Sequence, residues 1–220
     1  MPFCLDVQGE FACFTRPEMK VERVSYDVMT PSAARSIFEA ILWKPAIAWR
    51  VTRIEVINPI RWINLRRNEV GSVISSRVVT SAMKAGSGSL GLYIEDDRQQ
   101  RAGLFLRDVH YRLHGEFTLT AQAGCGDNAG KFAEMFRRRA QKGQCINQPY
   151  LGCREFAADV ILINDDTPQP PALAQDRELG WMLYDMDYRQ AQNPTPRFFH
   201  ANMTQGVIDI PAPDSPEVVA

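Results

Sequence analysis

The sequence has no apolar run approaching the ~18 residues that a membrane-spanning helix needs. Its opening, MPFCLDVQGE, has neither the basic start nor the apolar core of a signal peptide. The expected location is therefore the cytoplasm, with no membrane partner. Cysteine is sparse and scattered: Cys4, Cys13, Cys125, Cys145 and Cys153 are odd in number and include no CxxC pair. That argues against a zinc site and a disulfide framework, and reduced thiols are expected. Excess charge is also missing, since the net is only −1. Apolar residues at 45% and charged residues at 23% are the proportions of an ordinary globular chain, and 220 residues allow one domain or two.

The small net charge hides an uneven distribution. Residues 16–84 carry 12 Lys/Arg against 6 Asp/Glu, and residues 131–154 carry 6 against 1, whereas residues 155–220 carry 3 against 11. Two basic segments on an otherwise acidic chain can line a groove that tracks phosphates, or can be solvated helix faces. The acidic end reads as a solvated face or a protein-contact surface.

The clearest local structure lies at residues 15–47. A turn-prone basic loop around Pro17 leads to Thr30, an N-cap residue, and Pro31, which suits the first helical position. Ala34, Ile37, Phe38 and Ile41 then recur on one helical face, and Lys44-Pro45 ends the helix. Residues 3–14 and 46–57 read as strands, the second with a phase slip between Val51 and Ile54 that predicts a bulge. Residues 61–103 are the least regular, with a weak helical pattern near Val73–Lys84 and a GSGSLG break. Val109, Tyr111, Leu113, Phe117 and Leu119 alternate with His110, Arg112, His114, Glu116 and Thr118, so one face of this strand is buried and the other meets water or a ligand. A helix is expected over about 128–142, capped by Asp127 or Asn128, and a Val/Ile-rich strand over 150–163.

That order is βαββαβ, a ferredoxin-like or RRM-like α+β fold. The expected organisation is a ferredoxin-like domain over residues 1–164, a Pro-rich linker over 165–178, a small antiparallel β-sheet appendage over 179–210 and a loose tail over 211–220. Within the appendage, FFHANM-TQG-VIDIP reads as a hairpin turning at Gly206.

The wording of four stretches is more specific than their pattern. GEFACFTRPEMKVERVSYDVMTPSAARSIFEAILWKP at 9–45, RRNEV at 66–70, DDRQQRA at 96–102 and LGCREF at 151–156 resemble CRISPR-associated family five, subtype d (type I-C), of the RAMP superfamily. The resemblance runs from about residue 3 to 210. It implies the same ferredoxin-like domain with a β appendage, and a protein that binds CRISPR repeat RNA. It further implies a place on the 5′ handle of the guide RNA in the type I-C surveillance complex (Cascade), beside a backbone filament subunit and a large subunit that reads target DNA. Many members cut the precursor RNA as endoribonucleases without a metal or cofactor.

In that family a Tyr or His just before the WKP, and a Lys-His pair early in the second helix, do the cutting. Here the first position is Leu42; the pair is Lys131 followed by Phe132. Only Lys131 keeps a polar group, so the readings that remain open are a handle-holding subunit, a nuclease with a relocated site, and a general RRM-like RNA binder without complex partners. His110 and His114 are the candidates for relocation, against the alternative that they are exposed residues of a polar sheet face. His200 reads as structural. For RNA binding the candidates are Arg16, Lys20, Arg23, Lys44, Arg61, Arg66 and Arg67, with Lys131, Arg137 and Arg138 on the second helix, because cations match phosphates and Arg does so bidentately. Trp62 adds a possible stacking surface beside Arg61. Tyr26 can stack on a base or simply pack, and Gly152 can permit close RNA approach or mark a bulge.

Overall fold

The computed structural model describes residues 2–19, 21–164, 168–190 and 192–220. Lys20 and residues 165–167 of the expected linker lie outside these. The elements in chain order are β1 (Phe3–Ala12), α1 (Pro31–Ile41), β2 (Ile47–Val56), β3 (Trp62–Val70), α2 (Ser76–Ala85), β4 (Arg98–Leu119), α3 (Ala129–Gln141), β5 (Asp159–Leu162), β6 (Arg177–Asp187), β7 (Thr195–Met203), β8 (Val207–Asp209) and β9 (Val218–Val219). This is a mixed α/β protein with antiparallel sheets.

The larger sheet has the order β5-β1-β4-β2-β8, with β3 paired to the first part of β4. The β2–β4 ladder shifts register between Val51 and Arg53. That bulge moves the buried positions from Trp49 and Val51 to Ile54 and Val56, as the phase slip predicts. α1 begins as its sequence dictates: the Thr30 hydroxyl accepts from the backbone N–H of Ala33, and Pro31 follows. α1 and α3 cover one sheet face. Between them Phe3, Phe38, Trp49, Phe117 and Phe136 form an aromatic cluster, with Trp49 and Phe136 ring centroids 4.7 Å apart.

The smaller sheet is β6-β7-β9. It is tied to α1 by Arg35, whose Nε and Nη2 both sit 3.0 Å from the Asp185 carboxylate. The chain before it runs back over the larger sheet, where Leu173 N–H donates to Val56 O at 2.8 Å.

Several expectations need correction. β4 begins at Arg98, not near Val109, and β3 with the start of β4 forms a projecting ribbon carrying α2. Residues 150–158 are turns, because Gly152 is at φ 82°, so only Asp159–Leu162 remain as strand. Gln205 (φ 48°) and Gly206 (φ 75°) do make the tight turn after β7, both in the left-handed region as a type I′ turn requires. The returning strand β8, however, pairs with β2 of the larger sheet. The tail expected to be loose ends in β9, whose Val218 and Val219 pair with Phe199 and Phe198. Leu119, the last residue of β4, is exposed.

Candidate nucleic-acid interface

The end of α1 and the start of α3 meet at one exposed patch. The carbonyls that end α1 are satisfied internally, Leu42 O accepting from Trp49 Nε1 at 2.8 Å and Ile41 O from Arg139 Nη1 at 3.1 Å. The chain then turns outward and exposes Trp43, Lys44 and Pro45. Thr120, just past β4, pins this turn by donating from Oγ1 to Pro45 O at 2.6 Å. α3 starts where Asn128 Oδ1 accepts from Lys131 N–H at 2.9 Å. One residue earlier, Asp127 receives Lys131 Nζ at 2.8 Å and Gly124 N–H at 3.0 Å. The Lys131 hydrogen bond, the Gly124 N–H and the charges of Lys131 and Lys44 hold the Asp127 carboxyl below its usual range. Lys131 thus pairs with this carboxylate directly, and Lys44 acts on it only through its charge. The sequence offers Asp127 as a candidate helix cap; its role as the partner of Lys131 is a further one, signalled by the i,i+4 spacing.

Leu42 and Phe132 belong to the core under this patch. Leu42 is fully buried, and Phe132 sits edge-on to Phe117 with centroids 6.4 Å apart. The patch therefore offers cations at two positions and no titratable side chain at the two positions where the family pattern has one.

A second cluster joins the basic loop to β3. Arg23 Nη1 and Arg67 Nη1 lie 2.8 and 2.5 Å from the same oxygen of Glu155, and both also reach Glu69, at 3.7 and 3.2 Å. Arg101, on β4 directly opposite Arg67, adds a third guanidinium 3.4 Å from Glu69. Burial pushes the Glu155 carboxyl up, but hydrogen bonds from Arg67, from its own backbone N–H and from Arg23 outweigh it and leave it lowered. Arg66 is exposed and has no side-chain partner among the described residues. Arg61 pairs with Asp108 at 3.3 Å. Arg137 stacks over Phe3, 5.3 Å from the ring centre, while Arg138 is exposed on α3.

Tyr26 does not present its ring. It is buried beneath the Arg16 guanidinium, 4.5 Å from the ring centre, and its hydroxyl accepts from Leu183 N–H at 3.2 Å. Arg16 is itself held by Asp27 at 3.3 Å. Gly152 does permit a close approach, but to the chain itself: a Cβ there would lie 2.1 Å from Cys13 O.

His110 and His114 are neither free nor beside Lys131. They project from the sheet face opposite α1 and α3, where His110 Nε2 lies 2.7 Å from Asp6 and His114 Nε2 2.6 Å from Glu55. Arg112 lies between them in sequence, bonded to Glu55 at 2.5 Å and to Pro170 O at 2.6 Å, so the linker crosses this face. His200 pairs with Glu178 at 3.3 Å on the smaller sheet. Among the described residues no three His, Cys, Asp or Glu side chains gather as metal ligands, and no helix is long and apolar enough to cross a membrane.

The fold and the exposed cations at the ends of α1 and α3 describe a mixed α/β protein with a basic patch; comparison with known proteins supplies its class, the CRISPR-associated proteins. The family model described as CRISPR-associated protein (Cas_Cas5), subtype Cas5d, matches residues 3–211, so the chain belongs to that family. It is 52% identical over 212 residues to the CRISPR pre-crRNA endoribonuclease Cas5d of Mannheimia succiniciproducens, covering 94% of this chain and 93% of the relative. It is 38% identical over 225 residues to the protein of the same name from Thermus thermophilus, covering 94% and 90%. Among solved structures, a CRISPR-associated protein superposes with TM-score 0.71 at 23% identity, covering 100% of this chain and 97% of that one. A chain of a CRISPR RNA-guided surveillance complex superposes with TM-score 0.52 at 13% identity, covering 95% and 88%. These two likenesses bear on the fold.

Proposed function

We propose that this chain binds the repeat of precursor CRISPR RNA, cuts it, and keeps the 5′ handle of the resulting guide as a cytoplasmic subunit of a type I-C surveillance complex. The observation that carries this reading is the 52% identity, along nearly the whole chain, to a relative named as a pre-crRNA endoribonuclease. In the step proposed, a ribose 2′-OH attacks the adjacent phosphate, its P–O bond forming as the bond to the 5′ oxygen of the next nucleotide breaks. A cyclic phosphate and a free 5′-OH result, the 2′-OH giving its proton to solvent and the leaving 5′ oxygen taking one from it. Lys131 and Lys44 would neutralise the charge that develops on the phosphate oxygens, and in-line positioning would supply much of the remaining acceleration.

We read residues 1–164 as the ferredoxin-like domain. The strand order β5-β1-β4-β2 and the two crossing helices α1 and α3 support this. Residues 165–178 would be its linker, and 179–210 a β appendage that lends β8 to the main sheet. Arg23, Arg66, Arg67, Arg138 and Lys131 would meet RNA phosphates. Docking on the filament and large subunits is supported by the projecting β3–α2–β4 ribbon, on which Val73, Val78, Met83 and Tyr93 are exposed. Target DNA would be met only within that complex, through base pairing with the guide. A general RRM-like binder would read RNA on its open sheet face; here that face carries ion pairs and the linker.

A second reading, a handle-holder that no longer cuts, is favoured by the burial of Leu42 and Phe132. Incubating the purified protein with its cognate repeat RNA in EDTA, then resolving it on a denaturing gel, separates the two. The first reading expects one product with a cyclic phosphate end, formed at least tenfold more slowly by Lys131→Ala and at an unchanged rate by His110→Ala and His114→Ala. Tight, salt-sensitive binding without product, weakened by Lys131→Ala and Arg67→Ala, would establish the second.

A further inference from the structure

Two of the five free cysteines face each other where the end of β1 touches the LGCREF turn. Cys13 N–H donates to Leu151 O at 3.0 Å, and the Cys153 Sγ lies 3.7 Å from Cys13 O. The two thiols influence one another's ionisation, and the Cys13 Sγ also lies 3.4 Å from Thr15 Oγ1. Arg23 Nη1 points at the Cys153 sulfur from 3.6 Å. Cys13 is buried, whereas Cys153 is only partly covered.

These contacts separate the roles of the two sulfurs. Hydrogen bonding from Cys13 lowers Cys153 to about 6, assisted by Arg23, against the opposing pull of burial and Glu155. The same contact, with burial, holds Cys13 firmly as a thiol. A partly exposed thiolate beside a guanidinium and in contact with a second thiol is the arrangement that two-electron oxidants convert to a disulfide.

We propose that Cys13 and Cys153 form a peroxide-sensitive thiol pair, Cys153 as the attacking sulfur and Cys13 as the resolving one. The Cys153 thiolate attacks one oxygen of hydrogen peroxide; the O–O bond breaks, giving a sulfenic acid and hydroxide. The Cys13 sulfur then displaces the sulfenic oxygen. Its own proton leaves with that oxygen as water, and the S–S bond carries the two electrons' worth of oxidation. The product staples the end of β1 to the 151–156 turn and removes the anionic sulfur facing Arg23.

The test is titration of the reduced full-length protein with hydrogen peroxide near neutral pH, followed by peptide mapping without reductant. The expected result is a Cys13–Cys153 linked peptide, about 2 Da lighter than its parts, formed at least tenfold faster than any oxidation of the exposed Cys125 and Cys145. Cys153→Ser should abolish the linked peptide, and Cys13→Ser should instead leave Cys153 trappable as sulfenic acid. Arg23→Gln should slow the linkage. Oxidation of Cys125 or Cys145 ahead of the pair, or a Cys13 and Cys153 that stay unlinked in the folded wild-type protein, would overturn the proposal.

Discussion

Gly152 is at φ 82°, with the carbonyl oxygen of Cys13 where a side chain would begin. An L-residue there pays for both the left-handed backbone and the overlap. Gly152→Ala should cost on the order of 3 kcal/mol, a fall of roughly 6–12 °C in Tm for a chain of this size. Gly126→Ala, where a Cβ meets nothing within 4 Å, is the control and should leave Tm unchanged. At Tyr26 the structure chooses packing over stacking on a base. Tyr26→Phe keeps the ring beneath Arg16 and loses only the hydroxyl bond to Leu183, so thermal unfolding should report a loss of about 1 kcal/mol. RNA titration should show affinity unchanged within twofold; a larger drop would put the phenol on the RNA.

The elements differ in how plainly the sequence announces them. α1 is legible because its signals are local: a capping Thr30, Pro31, and an apolar face at helical spacing. The second half of β4 is legible because one side packs on helices and so alternates. β3 and residues 98–102 of β4 are not, since they pair with each other and bury no side chain fully, so alternation has nothing to record until Phe105 and Leu106 rejoin the core. The candidate site is legible in its cations and not in its anions. Arg23 and Arg67 stand out in sequence as basic residues within the stretches that carry the family resemblance, but Glu155 comes from a turn 88 positions after Arg67 and holds both. Glu155→Gln should loosen those guanidiniums, leaving Glu69 as their remaining partner. We expect RNA affinity to rise severalfold and the slope of log K against log salt to steepen by about 0.7 for each phosphate newly engaged, read from titrations at two salt concentrations. An unchanged slope would mean that Arg23 and Arg67 serve the fold and not the RNA.

At the scale of the whole molecule, phenols hold the seam between the two sheets. Tyr26 from the basic loop bonds to β6 through Leu183 N–H, and Tyr184 from β6 donates its hydroxyl to Pro211 O at 3.2 Å. Tyr111 on β4 lies in the core, edge-on to Phe14 with ring centroids 6.1 Å apart. Burial is the leading cause that raises all three, and most strongly Tyr111. Their neutral forms are therefore favoured by folding, while in the unfolded chain they ionise near pH ~10. The stabilisation is complete below that unfolded value. It is lost as pH rises toward the folded values, because the unfolded state then binds fewer protons than the folded one. Tyr184 has a second reason to resist, since a phenolate cannot donate to Pro211 O. Tm should consequently fall steadily above pH ~10, and part of the tyrosinate absorbance should appear only together with loss of the far-UV circular dichroism. Tyr111→Phe, which removes the buried phenol, should decline less steeply in alkali than the wild type. Parallel wild-type and variant profiles would show that Tyr111 ionises without unfolding the chain, and that the seam fails elsewhere.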